Sequence, residues 1–181
     1  MLASGGSDGS VRLWHLRTRM QVAGRVWEGQ GGVTALDFSQ DGEWLAVGSA
    51  AGALRVWRSA SLAEAAWEEE AADAEREAEA EGGAPVAALR WCPAARAGAA
   101  VLACARGCTV SLWARAGAFL VLLADLAASP EPLLRGALDW AHDGSHVQAG
   151  NLAGQRLVWA VHWAPDAPVH GAASSGGGAS G

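Results

Sequence analysis

The chain of 181 residues has no lysine, isoleucine or tyrosine, and its single asparagine is Asn151. All 13 basic residues are therefore arginines, scattered along the chain with several at strand-like positions (Arg12, Arg55, Arg90). A nucleic-acid surface needs clustered basic side chains, so no nucleic-acid partner is expected. No stretch reaches the ~18 uninterrupted apolar residues of a membrane span, so no membrane partner is expected either. The longest apolar run, residues 116–128, is interrupted by Asp125 and reads as a buried outer strand with its loop. Met1 leads into strand-like sequence with neither a basic n-region nor an apolar h-region, which points to an intracellular, cytoplasmic and reducing location. Three cysteines, Cys92, Cys104 and Cys108, lack the paired spacing of a zinc site and read as small apolar residues. His142 and His146 flank a turn instead of sharing a helix face, so no metal or other cofactor is expected. There is no Gly-x-Ser-x-Gly elbow, phosphate-binding loop or dinucleotide fingerprint, and no catalytic residue is assigned; the sequence does not read as an enzyme.

What is present is a repeat. Four short strand-like stretches run into tryptophan: 11–14, 54–57, 110–113 and 156–159, ending at Trp14, Trp57, Trp113 and Trp159. The tryptophans are 43, 56 and 46 residues apart. Upstream of each lies a strand and a tight glycine turn, as in Leu2 to Trp14, which aligns without a gap on Leu45 to Trp57. A second block, Val33–Phe38 followed by Asp41-Gly42, recurs as Val86–Trp91 and as Arg135–Trp140 followed by Asp143-Gly144. Asp37, Asp41, Asp139 and Asp143 thus fall at matching positions in turns and at strand ends. Short strands at this spacing argue for an all-β repeat, with a period in the range of propeller blades.

Residues 2–163 resemble the WD40 family, which implies a β-propeller with about four blades of antiparallel strands. That number of blades is expected to form an incomplete propeller, so the chain reads as a fragment of a longer protein. Open blade edges left in this way favour self-association. No unit keeps the Trp-Asp pair of the family; His15, Arg58, Ala114 and Ala160 follow the four tryptophans. The resemblance also implies a buried hydrogen-bond network of Trp, Ser or Thr, His and Asp, for which Ser4, Asp8 and Trp14 supply three members. Val47 and Ala51 stand at the Ser and Asp positions of the second unit, where the network is expected to be absent.

The net charge of −6 is unevenly placed. Residues 64–81 hold nine acids and one base, Arg76, and the rest of the chain has 10 acids against 12 arginines. This segment accounts for the longest tryptophan spacing and reads as an Ala/Glu-rich insertion, 62–83, protruding from the rim. Like-charge pairs such as Glu69/Asp73 oppose a helix there and favour a solvated loop. Residues 164–181 read as a Gly/Ser-rich flexible tail.

Two finer resemblances concern function. Asp139-Trp140-Ala141-His142-Asp143-Gly144, with Val147-Gln148 and Leu157-Val158-Trp159, is similar to a blade of the echinoderm microtubule-associated protein-like family. Leu45-Ala46-Val47-Gly48 is similar to a strand of the neighbouring blades in that family. The resemblance implies a scaffold whose partner is tubulin and whose location is cytoskeletal. The stretch from Leu2 to Arg17 is similar to the box of substrate receptors of cullin–RING ubiquitin ligases, in which the arginine, here Arg17, engages the adaptor. In either case the chain is expected to bind proteins through exposed turns, with Arg17, Asp37, Asp41, Asp139, His142 and Asp143 as partner-binding candidates.

Overall fold

A strand covered on both faces needs apolar or small side chains at every position, whereas one covered on a single face alternates. Every residue from Trp44 to Ser49 and from Val101 to Ala105 is buried, so the sheets carrying them must be covered on both sides. The computed structural model describes residues 1–60, 62, 64–68, 83–94, 100–116, 119–126, 129 and 131–163, and all regular structure among them is β-strand. Fourteen strands form four antiparallel sheets. The first holds β1 (Leu2–Gly5), β2 (Ser10–His15) and β3 (Met20–Val26). The second holds β4 (Val33–Phe38), β5 (Trp44–Ser49), β6 (Leu54–Arg58) and β7 (Glu64–Glu68). In the third are β8 (Val86–Trp91), β9 (Val101–Arg106), β10 (Thr109–Ala116) and β11 (Phe119–Asp125). The fourth consists of β12 (Leu133–Trp140), β13 (His146–Asn151) and β14 (Arg156–Ala160).

The registers superimpose. Each repeat tryptophan pairs with the residue at one position of the preceding strand: Leu2 with Trp14, Leu45 with Trp57, Leu102 with Trp113, and Val147 with Trp159. By this register β1 corresponds to β5, β9 and β13. Among the described residues, the first sheet has no counterpart of the inner strands β4, β8 and β12. The fourth has none of the outer strands β3, β7 and β11.

The sheets stack in sequence order, with β1 against β4, β4 against β8 and β8 against β12. Three apolar clusters fill the junctions. Val11 and Leu13 meet Leu45, Val47 and Trp57 at the first. Ala46, Leu54 and Val56 meet Leu89, Leu102 and Trp113 at the second. Ala103, Val110 and Leu112 meet Leu138, Val147 and Trp159 at the third. Among the described residues no cluster joins the fourth sheet to the first, so four sheets with three junctions make an incomplete propeller. In the last three sheets the repeat tryptophan faces the preceding sheet.

The scattered arginines have a structural role. Arg25 and Arg106 lie over the rings of Trp57 and Trp113, at 5.5 and 5.8 Å, and Arg58 lies 4.8 Å over Trp44. Each sets its guanidinium over the face of an indole, where the ring quadrupole attracts the cation.

Two expectations change. The outer strand β7 begins within the acidic segment, because β6 offers a free edge for Glu64–Glu68 to pair with. The rest of the insertion, residues 69–82, and the tail 164–181 lie outside the described residues. The run 116–128 does form an outer strand, but Leu120 is buried while Leu122 and Leu123 are exposed, since an outermost strand has only part of its length covered.

Candidate functional site

Strand reversals bring one group of the expected residues to a common rim. The β4–β5 and β12–β13 turns and the β2–β3 turn open at the same end of their sheets, which places Arg17, Asp41, His142 and Asp143 there, all exposed. Asp41 and Asp143 also build their own turns. Asp41 Oδ1 accepts from Ser39 Oγ at 2.5 Å and from the Glu43 amide at 2.9 Å. Asp143 Oδ1 accepts from Ser145 Oγ at 2.6 Å and from its amide at 2.9 Å. These bonds from Ser145 hold the Asp143 carboxyl below its usual range.

Asp37 and Asp139 lie instead on the inner strands. With Arg90 they occupy one register position, opposite Ala46, Ala103 and Gln148. The result is an acid–base–acid row crossing β4, β8 and β12. Asp37 Oδ2 accepts from the Trp91 amide at 2.8 Å, and Arg90 Nη1 stands 3.7 Å from Asp37 Oδ1. Indole donors tie the same strands together: Trp91 Nε1 donates to the Asp37 carbonyl at 3.1 Å, and Trp140 Nε1 to the Arg90 carbonyl at 3.0 Å. Beyond the row a cavity of about 520 Å³ opens on the outward face of the fourth sheet, lined by Arg90, Asp139, Gln148, Asn151, Gln155 and Arg156. Arg90, absent from the expected set, was legible in the alignment of the inner-strand blocks, where it stands opposite Asp37 and Asp139.

Burial raises the Asp37 pKa, the Trp91 amide and Arg90 partly oppose this, and Asp139 adds to it. A carboxyl whose pKa is higher folded than unfolded binds protons more tightly in the folded state. Its contribution therefore favours folding at acid pH and is lost as pH rises through the raised value. The stability of the wild type relative to Asp37→Asn should accordingly increase as pH is lowered from neutral into the carboxylate range, as read by urea unfolding at a series of pH values. A constant difference would show that Asp37 is not desolvated as described.

The tryptophan network reduces to one bond in the first sheet. Trp14 Nε1 donates to Ser4 Oγ at 2.9 Å, while Asp8 turns away to accept from the Ser10 amide at 3.0 Å. At the Ser4 position the second and third sheets carry Val47 and Cys104, and the buried indole nitrogens of Trp57 and Trp113 have no hydrogen-bond partner among the described residues. The loss of the network in those sheets is thus incomplete, because the donor remains after its acceptor has gone. Among the described residues no three His, Cys, Asp or Glu side chains converge as metal ligands, and no helix is long and apolar enough to cross a membrane.

Repeated three- and four-stranded sheets stacked through tryptophan-bearing faces define a propeller-type blade array. Residues 1–15 and 22–58 match the family model described as WD domain, G-beta repeat. A chain of the mitotic checkpoint complex has the same fold, with a TM-score of 0.69 and 19% identity over 88% of this chain and 45% of that one. The present chain therefore spans under half the length of that neighbour. The computationally designed Ika4 protein aligns with a TM-score of 0.62 and 22% identity over 88% of this chain and 84% of its own. The designed Ika8 protein aligns with a TM-score of 0.60 and 23% identity over 87% of this chain and 42% of its own. At these identities the likeness is one of fold. No curated protein matches the sequence.

Proposed function

We propose that the chain is a non-catalytic scaffold that binds protein partners through its rim turns and inner-strand row. The observation carrying this reading is the placement of exposed charged side chains on short turns held by stacked sheets, which suits recognition by a rigid surface. Tubulin is the partner favoured by the similarity of residues 134–159 to a microtubule-associated blade. In that stretch Trp140 and Val147 are buried in the junction with the third sheet, whereas Asp139, His142 and Asp143 are exposed to a partner. The chain should copellet with stabilised microtubules, and Asp139→Ala, His142→Ala and Asp143→Ala together should abolish copelleting while leaving the far-UV circular dichroism unchanged. Background copelleting of the folded wild type removes the tubulin reading. A second reading, adaptor binding in a cullin–RING ligase, is favoured by the exposure of Arg17 on the β2–β3 turn. It predicts that Arg17→Ala loses adaptor capture.

A further inference from the structure

The outer strands β3, β7 and β11 each pair along one edge only, and among the described residues nothing pairs with their far edges. Such an edge offers a row of backbone donors and acceptors, which charged residues, proline, glycine or a bulge normally protect. A bulge beside the repeat tryptophan interrupts the pairing of all three. What separates them is composition. Glu64 and Glu68 protect β7, while Gln21, Gly24 and Arg25 interrupt β3. The first six positions of β11, from Phe119 to Ala124, are all apolar, and its one charge is terminal. That charge is held within its own sheet, since Asp125 Oδ1 accepts from Ser111 Oγ on β10 at 2.5 Å. Leu122 stands opposite Trp113, on the face turned toward the second sheet, and Leu120 shares that face. Leu120 is buried in the junction, whereas Leu122 is 40% exposed although the second sheet has all four of its strands. The exposure of Leu122 thus belongs to the outer edge of the third sheet and owes nothing to the ends of the array.

We infer that the edge of β11 is a self-association site, where two copies of the chain pair β11 with β11, antiparallel, about a two-fold axis through Val121. Residues directly opposite in an antiparallel pair share a face, so such an axis passes through a residue that meets itself. Through Val121, it sets the exposed Leu122 of each copy opposite Leu120 of the other. The bulged Leu123 then falls at the end of the ladder and Asp125 beyond it, so no charge enters the contact. The occupant is a second copy because the edge requires an uncharged strand, and β11 is the outer strand that supplies one. Pairing with β7 or β3 would instead set Glu64 and Glu68, or Arg25, against the leucines. A two-fold contact is closed, so association stops at two chains. One strand edge per copy buries far less than the ~800 Å² per partner of a standard interface, so the dimer is weak and reversible.

Sedimentation of the chain through the micromolar range should show a reversible equilibrium between one chain and two, with no larger species. Leu122→Lys should raise the dissociation constant by roughly tenfold, since it disrupts two cross-strand pairs in each dimer. Val121→Lys and Val121→Glu should each sediment as a single chain, because like charges then meet across the axis. Mixed in equal amounts, these two variants should regain a one-to-one dimer, in which Lys faces Glu. Circular dichroism and cooperative urea unfolding separate a failed contact from a failed fold, and Leu122→Lys serves where a Val121 variant does not fold. A wild type that stays a single chain throughout this range would overturn the inference. So would a dimer that folded Val121→Lys and Leu122→Lys leave unchanged, or growth past two chains, because either outcome puts the contact on another surface.

Discussion

Trp57→Ala should lower the unfolding free energy by about 3–5 kcal/mol, the largest effect expected of any single tryptophan here. Trp57 is 1% exposed, sits at the junction of the first two sheets among Leu13, Leu45 and Val47, and meets Trp27 edge-on with ring centroids 6.1 Å apart. Its removal leaves a cavity that two stacked sheets cannot close without shifting their registers. In a chain of this size the loss corresponds to roughly 2–4 °C of melting temperature per kcal/mol. Trp14→Ala, at the same repeat position, should cost only about 1 kcal/mol, because Trp14 is half-buried and gives up mainly its bond to Ser4. Trp57→Phe should cost clearly less than Trp57→Ala, as it keeps most of the apolar volume and removes an indole N–H that has no acceptor. Equal losses for Trp14→Ala and Trp57→Ala in urea unfolding would contradict an array in which the first tryptophan faces outward.

Gly48→Ala should destabilise by about 1–3 kcal/mol through overpacking. A Cβ at Gly48 would lie 2.4 Å from Val86 Cγ1 and 2.7 Å from Val86 Cβ, on the first residue of the neighbouring inner strand. A valine has no flexible end to swing aside, so the strand itself must move. The contact repeats one sheet earlier, where a Cβ at Gly5 would lie 2.4 Å from Val33 Cγ1. Combining Gly48→Ala with Val86→Gly, which removes both Cγ1 and Cβ from the contact, should recover part of the loss, giving a double-mutant coupling of opposite sign to the single effects. Additive losses would mean that the two residues do not meet across the second junction. Neither glycine is required for a left-handed backbone; what each supplies is the close approach of one sheet to the next.

Much of the fold was legible in the chain. Tryptophan at a 43–56-residue spacing, the glycine turn before it and the repeated inner-strand block identified four units, and each became one sheet. The gapless alignment of Leu2–Trp14 with Leu45–Trp57 correctly anticipated that β1 and β5 are equivalent strands. The rim turns were legible as well, because Asp-Gly pairs reverse a chain by local geometry alone. The outer strands were harder to read, and β7 inside the acidic segment runs against its own composition. An edge strand is specified by the free edge it joins more than by its side chains, and that edge belongs to another part of the chain.

The candidate site divides along the same line. Period-2 alternation determines which residues of one strand share a face, and the alignment of the inner-strand blocks put Asp37, Arg90 and Asp139 at one repeat position. Only the stacking decided what each face meets. It brought Arg90 within 3.7 Å of Asp37, seated arginines over the indoles of other strands, and left the Trp14 face outward while burying Trp57. Local sequence determines the strand, its turn and its two faces, because these depend on backbone sterics and alternation within a few residues. Which face is covered, and therefore which tryptophan is core and which is surface, depends on a neighbouring sheet some 40 residues or more away in the chain, and that is settled only when the sheets pack.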